Sequence, residues 1–436
     1  MVADAAERCQ PVRTHVRRHL GSRAWTIPAA YAVAAIGVGF ALPRLEHRLL
    51  FDVASGISPA SAIAIYSTIA AGTMTLSAIV FSLTFVMVQF SATAYSPRLV
   101  LWLAEAPVLS HALGIFTGTY LYCISAIAWV DRDNVAGVPF VGAVVAILWL
   151  LASIGAFIAL IRRVAVLQVR RMLAFTGDQG RRVLAALYSD DRPTAGDEEP
   201  AMGVSGPPAQ VLVHNGRPRA VQAIEADMLL SLAQAANARI EVVVAVGDTV
   251  MDSTPLLRVY GTGTPVADRA LRATICVGQD RTFEQDPKYA LRLLVDIAIR
   301  ALSPAINDPT TAVQALDEIG DLLLRLGRRS LATAPLRDSS GAIRVVVPRP
   351  SWEDFLQLAL DEILAYGASS IQVMRRMNAL LSELTATAPE SRHHAVEYWR
   401  RRVEASINSH FADVDERHEA FVGDRQGLGV SRRPAA

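Results

Sequence analysis

Four polar residues recur at seven-residue spacing inside an uncharged apolar stretch: Thr68, Thr75, Ser82 and Gln89. Seven residues make nearly two turns of α-helix, so these groups form one stripe that drifts slowly round the axis. In hydrocarbon such a stripe faces a partner helix or water, because lipid offers no hydrogen bonds. Hydroxyls and an amide can line a passive path for a small species. They can equally hold helices together, at roughly 0.6–2 kcal/mol per contact. Ser67, Ala71 and Thr75 add small side chains at four-residue spacing, which lets helices approach closely. No acidic, basic or histidine residue lies deep in an apolar stretch, which argues against a proton relay or a voltage sensor.

A second polar set lies between residues 281 and 309. Thr282 and Gln285 stand at capping-box spacing and predict the start of a helix running to about Leu302. On it Arg292, Asp296 and Arg300 fall at four-residue intervals, one charged line along one face. Ser303-Pro304 ends it, since the residue before proline resists helical geometry. Asp308-Pro309 then opens a second helix, with Asp308 as N-cap and the proline in the first turn, continuing to about Leu326. Arg281, Asp296, Arg300, Ser303, Asn307 and Asp308 are therefore candidates for a polar site that takes an ion, a small ligand or a partner loop. The same residues can simply hold the corner, each cap contributing about 1 kcal/mol.

Motifs for catalysis are missing. The chain has no glycine-rich phosphate loop, no GxSxG elbow, no HExxH and no paired-cysteine motif, so no enzyme, catalytic residue or cofactor is expected. His393, His394, His410 and His418 suggest no metal geometry. Cys9, Cys123 and Cys276 lie too far apart for a zinc knuckle or a disulfide framework. A net charge of +1 gives no reason to expect nucleic acid as a partner.

The elements that must carry these residues divide the chain in two. Hydrophobic residues make up 52% and charged residues 19%, against about 25% charged in soluble domains. The apolar excess lies before Arg162. A helix needs about 20 apolar residues to cross the bilayer, and four segments qualify: Trp25–Leu42, a stretch within Ala62–Ala94, Val108–Val130 and Val138–Ile161. The third carries Gly114 and Gly118 at GxxxG spacing, which suits either pairing with the fourth helix or dimerisation. The first is preceded by a basic stretch, but no small-residue cleavage site follows it, so a retained helix is expected. Arginines cluster in the N-terminal tail and again at Arg162, Arg163, Arg170 and Arg171. Positively charged loops stay inside, so four crossings predict both termini in the cytoplasm of a multi-pass protein.

Beyond Ile161 the helical period continues to about Tyr188, and 189–208 reads as a linker rich in Asp, Glu, Gly and Pro. Strands are expected at Gln210–His214 and Arg239–Val246, a helix at Ile224–Ala236 and an extended run at Thr249–Tyr260. The run Val246–Val250 followed by Thr254–Leu257 resembles the barrel-sandwich modules of lipoyl and biotinyl carriers. No lysine stands in the turn, so only the β-shape carries over. Two long amphipathic helices, Trp352–Thr385 and Pro389–Phe421, close the chain. The expected layout is a basic tail (1–24), a four-helix transmembrane domain (25–163), a juxtamembrane helix and linker (164–208), a small α+β module (209–265) and a helical domain (266–436). The fold class is thus a membrane all-α region followed by a cytoplasmic α+β region with a barrel-sandwich-like β module and a mainly helical C-terminal domain.

Two stretches carry a family resemblance. One is Phe81-Ser82-Leu83-Thr84 through Gln89 to Ser96-Pro97-Arg98-Leu99. The other is Arg281-Thr282-Phe283-Glu284-Gln285-Asp286-Pro287 through Leu294-Val295-Asp296-Ile297-Ala298 to Arg300–Pro309. In these the chain resembles the bacterial predicted membrane proteins of domain of unknown function 2254. The resemblance implies a membrane location and this domain layout; it implies no activity. Together these readings favour an oligomeric channel or passive transporter of the bacterial inner membrane, with the second helix lining the path. The alternative is a membrane-anchored sensor or scaffold that binds a ligand or protein through 281–309. The bilayer and further copies of the chain are the expected partners.

Overall fold

The computed structural model describes residues 23–49, 58–94, 107–130, 140–164, 169–188, 206–261, 265–331 and 335–427. The basic tail up to residue 22, most of the 189–208 linker, the Ser96–Leu99 motif and the Gln89 side chain lie outside the described residues. The chain divides into two compact units with the boundary at Gln168–Val169.

Among the described residues the first unit holds four apolar helices: α1 (Arg23–Leu49), α2 (Pro59–Ala94), α3 (Pro107–Val130) and α4 (Phe140–Val164). Each is long and apolar enough to cross a membrane. The 36 residues of α2 run about 54 Å at 1.5 Å per residue, well beyond the roughly 30 Å of hydrocarbon. Small residues decide how the helices meet. A Cβ on Gly114 would run into the Tyr31 ring of α1, and one on Gly118 into the Trp149 ring of α4. Both glycines of the GxxxG pair are thus used inside the chain. Thr119 of α3 and Ser153 of α4 share a buried hydrogen bond of 2.8 Å.

The second unit begins with α5 (Val169–Leu187), followed by strands and short helices: β1 (Gln210–Val213), β2 (Arg219–Ile224), α6 (Ala226–Ala235), β3 (Arg239–Val242), β4 (Thr249–Val250), β5 (Pro255–Tyr260), α7 (Asp268–Arg272) and β6 (Ile275–Gly278). Then come α8 (Pro287–Ala301), α9 (Pro309–Leu326), β7 (Leu336–Arg337), β8 (Ile343–Val346), α10 (Trp352–Gly367), α11 (Ile371–Thr387), a short 3-10 turn (Glu390–Arg392), α12 (His393–His410) and α13 (Val414–Phe421). The mixed α/β region and the helical C-terminus follow the expected order.

The strands do not close into a barrel. Among the described residues they form a sheet of order β1-β5-β3-β8-β7 and a smaller one, β4-β2-β6. β3 pairs in parallel with β8, which returns from beyond α9, so the larger sheet is completed by residues far along the chain. Leu229, Ile240, Leu257, Leu271 and Val345 pack as one buried core beneath it.

Three sequence expectations need correction. Thr282 does not open α8; its N-cap is Asp286, whose carboxylate accepts the Tyr289 amide, with Pro287 in the first turn. Proline at that position tolerates the missing N–H, and it places the boundary four residues later. The long helix 352–385 is broken: α10 stops at Gly367, and Ser370 caps α11 by accepting the Val373 amide. A Cβ on Gly367 would strike Val373, so glycine permits the tight reversal between the two. The 389–421 helix is broken likewise, with Asp413 capping α13 through the amides of Asp415 and Glu416.

Candidate functional site

Within the first unit, α2 buries one face: Ala62, Tyr66, Ile69, Ala70, Thr73 and Val80. The predicted polar stripe lies on the other side. Thr68, Thr75 and Ser82 are all exposed. Thr68 Oγ1 donates to Ala64 O at 2.7 Å and Thr75 Oγ1 to Ala71 O at 3.0 Å, so each hydroxyl proton is satisfied within the helix. What points outward is a strip of small, weakly polar surface. Ala64, Thr68, Ala71, Thr75, Ala78 and Ser82 follow one another at alternating steps of four and three residues, and all six are exposed. The seven-residue period caught half of this strip; the alanines between its members escaped it because they carry no polar atom.

A carboxylate that periodicity did not single out sits at the end of α1. Glu46 is buried and accepts the backbone N–H groups of Val141 at 2.9 Å and Gly142 at 3.2 Å, at the start of α4. The first amides of a helix lack intrahelical partners and carry partial positive charge, so a carboxylate there is favourable. Tyr122 donates to Gly142 O at 2.7 Å beside it. The available clue was a charge at the very end of an apolar span, next in space to a helix start that sequence spacing does not reveal.

In the second unit the six predicted polar residues are not brought together. They are distributed along α8 and its flanks. Arg281 lies before the N-terminus of α8, where its Nε donates to Asp286 Oδ2 at 2.6 Å and its guanidinium stands 5.7 Å from the Tyr289 ring centre. Asp286 is 2% exposed. Burial pushes its carboxyl above the usual range, against the pull of Arg281. Gly247, at φ +93, turns its Hα side onto this pair, and a Cβ there would overlap both Arg281 and Asp286. The pair thereby joins the β4 turn to α8.

Asp296 lies midway and accepts from Arg292 Nε at 2.7 Å; Arg292 also bonds Glu362 of α10. Arg300, Ser303, Asn307 and Asp308 cluster at the far end. Ser303 Oγ donates to Arg300 O at 2.7 Å. Asp308 accepts the Thr311 amide at 3.1 Å and its hydroxyl at 2.6 Å, as an N-cap. Asn307 adopts φ +49, a left-handed conformation that asparagine tolerates better than most residues. Arg281 and Asp308 are separated by the whole of α8, about 22 Å at 1.5 Å per residue.

Sequence reasoning also passed over two arginines that close the helical layer, Arg392 buried and Arg181 partly so. Arg392 donates to Leu326 O at 2.8 Å and to Arg329 O at 2.9 Å, satisfying carbonyls at the C-terminus of α9, and lies over the Trp352 ring. Arg181 of α5 bonds Glu318 at 2.9 Å and Asp321 at 2.7 Å on α9. Burial pushes the Asp321 carboxyl up, but Arg325 and Arg181 outweigh it and hold it below the usual carboxylate range.

With this geometry the chain can be placed. Residues 21–383 match the model of the DUF2254 predicted membrane proteins, and the chain belongs to that family. It is a membrane protein with four candidate spans. It is 27% identical to the uncharacterized protein Rv1290c of Mycobacterium tuberculosis, over 97% of this chain and 83% of the relative. The uncharacterized protein Mb1321c of Mycobacterium bovis matches to the same extent. No solved structure matches.

Proposed function

We propose that this protein is a homo-oligomer of the bacterial inner membrane in which α2 helices from several copies meet along their outward strip and line a passive path. The observation that carries this reading is the exposed run Ala64, Thr68, Ala71, Thr75, Ala78, Ser82. Alternating steps of four and three are the spacing of a left-handed helix seam. Small side chains are what membrane helices use where they approach closely. Large apolar residues flank the strip, among them Ile65, Met74, Ile79 and Phe81, all exposed; these suit lipid or the rim of a helix contact. A path lined by hydroxyl oxygens and methyl groups would pass a small species without storing charge in the membrane. The arginine clusters at both ends of the membrane unit support cytoplasmic termini.

Planar-bilayer recording of the purified protein tests this. The expected result is a conductance that Thr75→Leu and Ser82→Leu reduce by an order of magnitude or more. A silent wild-type protein, or currents indifferent to both substitutions, would sink the reading. A dimer seen by cross-linking without conductance would reassign the strip to packing alone.

A further inference from the structure

We propose that the corner between α8 and α9, together with the end of α10, docks on the headgroup region of the lipid bilayer. This inference stands whether or not α2 lines a path. It starts from the register of the helices inside the second unit. Gly180 of α5 faces Ala290 of α8 and Leu322 of α9, and Gly177 faces Glu318 of α9. Residue numbers rise together on α5 and α9, so these helices run parallel, and α8 runs against them. Eleven residues separate Gly180 from Val169, Ala290 from Ala301 and Leu322 from Thr311, each about 16 Å of helix. Val169, the corner and the start of α9 therefore lie at one end of the bundle. Gly367 packs on Leu302, so the end of α10 is there too.

That end is tethered. α4, the last apolar helix among the described residues, stops at Val164, five positions before Val169 in the sequence. The surface it presents fits an interface of apolar tails and phosphates. Ile306 is 46% exposed and Tyr366 is 56% exposed, and Pro304 and Ala305 of the corner are exposed too. Tyrosine favours such an interface because one end is apolar and the other wet. Arg170 and Arg171 are exposed on the first turn of α5, where they meet anionic headgroups favourably. Asp308, in the corner itself, is turned onto Thr311. Ile306 is not outward through slackness. The amides of Ile306 and Asn307 both donate to Ser303 O, at 3.0 and 2.9 Å, and the left-handed Asn307 closes the turn. A backbone held this firmly presents its isoleucine to solvent as a fixed feature.

The experiment uses the full chain in nanodiscs containing a photoreactive phospholipid, with the diazirine placed high on the acyl chain. After irradiation and tryptic digestion, lipid adducts are mapped by mass spectrometry. Labelled transmembrane peptides show that the chemistry worked. The expected result is adducts at Ile306 and Tyr366, in peptides 301–325 and 345–375. Peptide 240–258 should stay bare although its Met251 is 61% exposed, because Met251 follows the Gly247 turn at the opposite end of α8. Replacing phosphatidylcholine with phosphatidylglycerol should raise the corner yield about fivefold, the fold-change expected from one well-placed basic residue near an anionic surface. The surface variant Ile306→Glu with Tyr366→Ser should lose the adducts while transmembrane labelling persists. Labelled spans with a bare corner, or a corner labelled no more than Met251, would overturn the proposal.

Discussion

Two stretches of this chain carry polar residues at helical spacing, and the fold treats them oppositely. On α2 the hydroxyls of Thr68 and Thr75 turn back to their own helix and leave their faces open. Between 281 and 309 the polar groups are engaged: Arg281 with Asp286, Arg292 with Asp296, Ser303 with Arg300 O, and Asp308 with Thr311. A threonine hydroxyl in a helix can satisfy its proton on the carbonyl four residues back, so it places no demand on tertiary structure. A buried carboxylate or guanidinium cannot be satisfied by its own helix backbone in that way and needs a charged or polar partner side chain or free amide. Periodicity alone made the two stretches look alike as candidate sites. The α2 set thus leaves its side chains exposed, whereas most of the 281–309 set is tied to neighbouring groups.

That contrast can be broken, first where the expected effect is largest. Arg281→Met leaves Asp286 buried without its cation and should lower stability by about 3 kcal/mol, toward the range for breaking a buried pair. Thermal melting of the purified protein in detergent reads it; an unchanged midpoint would mean that the pair is ornamental. Asp308→Ala removes the cap of α9 and should cost about 1 kcal/mol, with Asp308→Asn recovering most of it. A loss well above this would point to a role for the corner beyond capping.

A pH effect sharpens the same comparison. Burial pushes the Tyr188 phenol up to about 12, against an opposing pull from Arg349. Its stabilising contribution is whole below about pH 10, where the unfolded phenol ionises, and is lost as pH rises from there toward the folded value. Melting midpoints taken from about pH 9 to 11 should fall more steeply for the wild type than for Tyr188→Phe. Equal slopes would show that the phenol is not sequestered. The smallest effect is expected on α2: Thr68→Ala and Thr75→Ala should change the stability of the monomer by less than about 0.5 kcal/mol, the range of surface substitutions. A larger loss would place the strip inside the chain's own packing and dissolve the distinction.

Much of this architecture was legible beforehand. The four spans follow from uninterrupted apolar runs, because bilayer thickness sets a minimum length that few other structures need. The start of α9 followed from Asp308-Pro309, where cap chemistry is local. α8 was displaced by four residues because the capping-box spacing of Thr282 and Gln285 competed with the Asp286-Pro287 signal. Gln285 instead accepts the Ile224 amide, a contact with a residue 61 positions away. The barrel-like shape is not confirmed, and one pairing lay beyond local pattern altogether: β8 joins β3 from more than a hundred residues downstream.

What depends on neighbours within a few residues, or on the solvent a segment can tolerate, was readable from residue order alone: candidate membrane spans, most caps, the order of helices and strands, and membership of a membrane family. The tertiary structure decided which face of α2 remains outward, that Glu46 reaches the amides of α4, and that Arg281 and Asp308 belong to opposite ends of one helix. These are matters of which surfaces meet. A stripe on a helix is defined by its own spacing, but only the packing of the other helices selects the side that stays open.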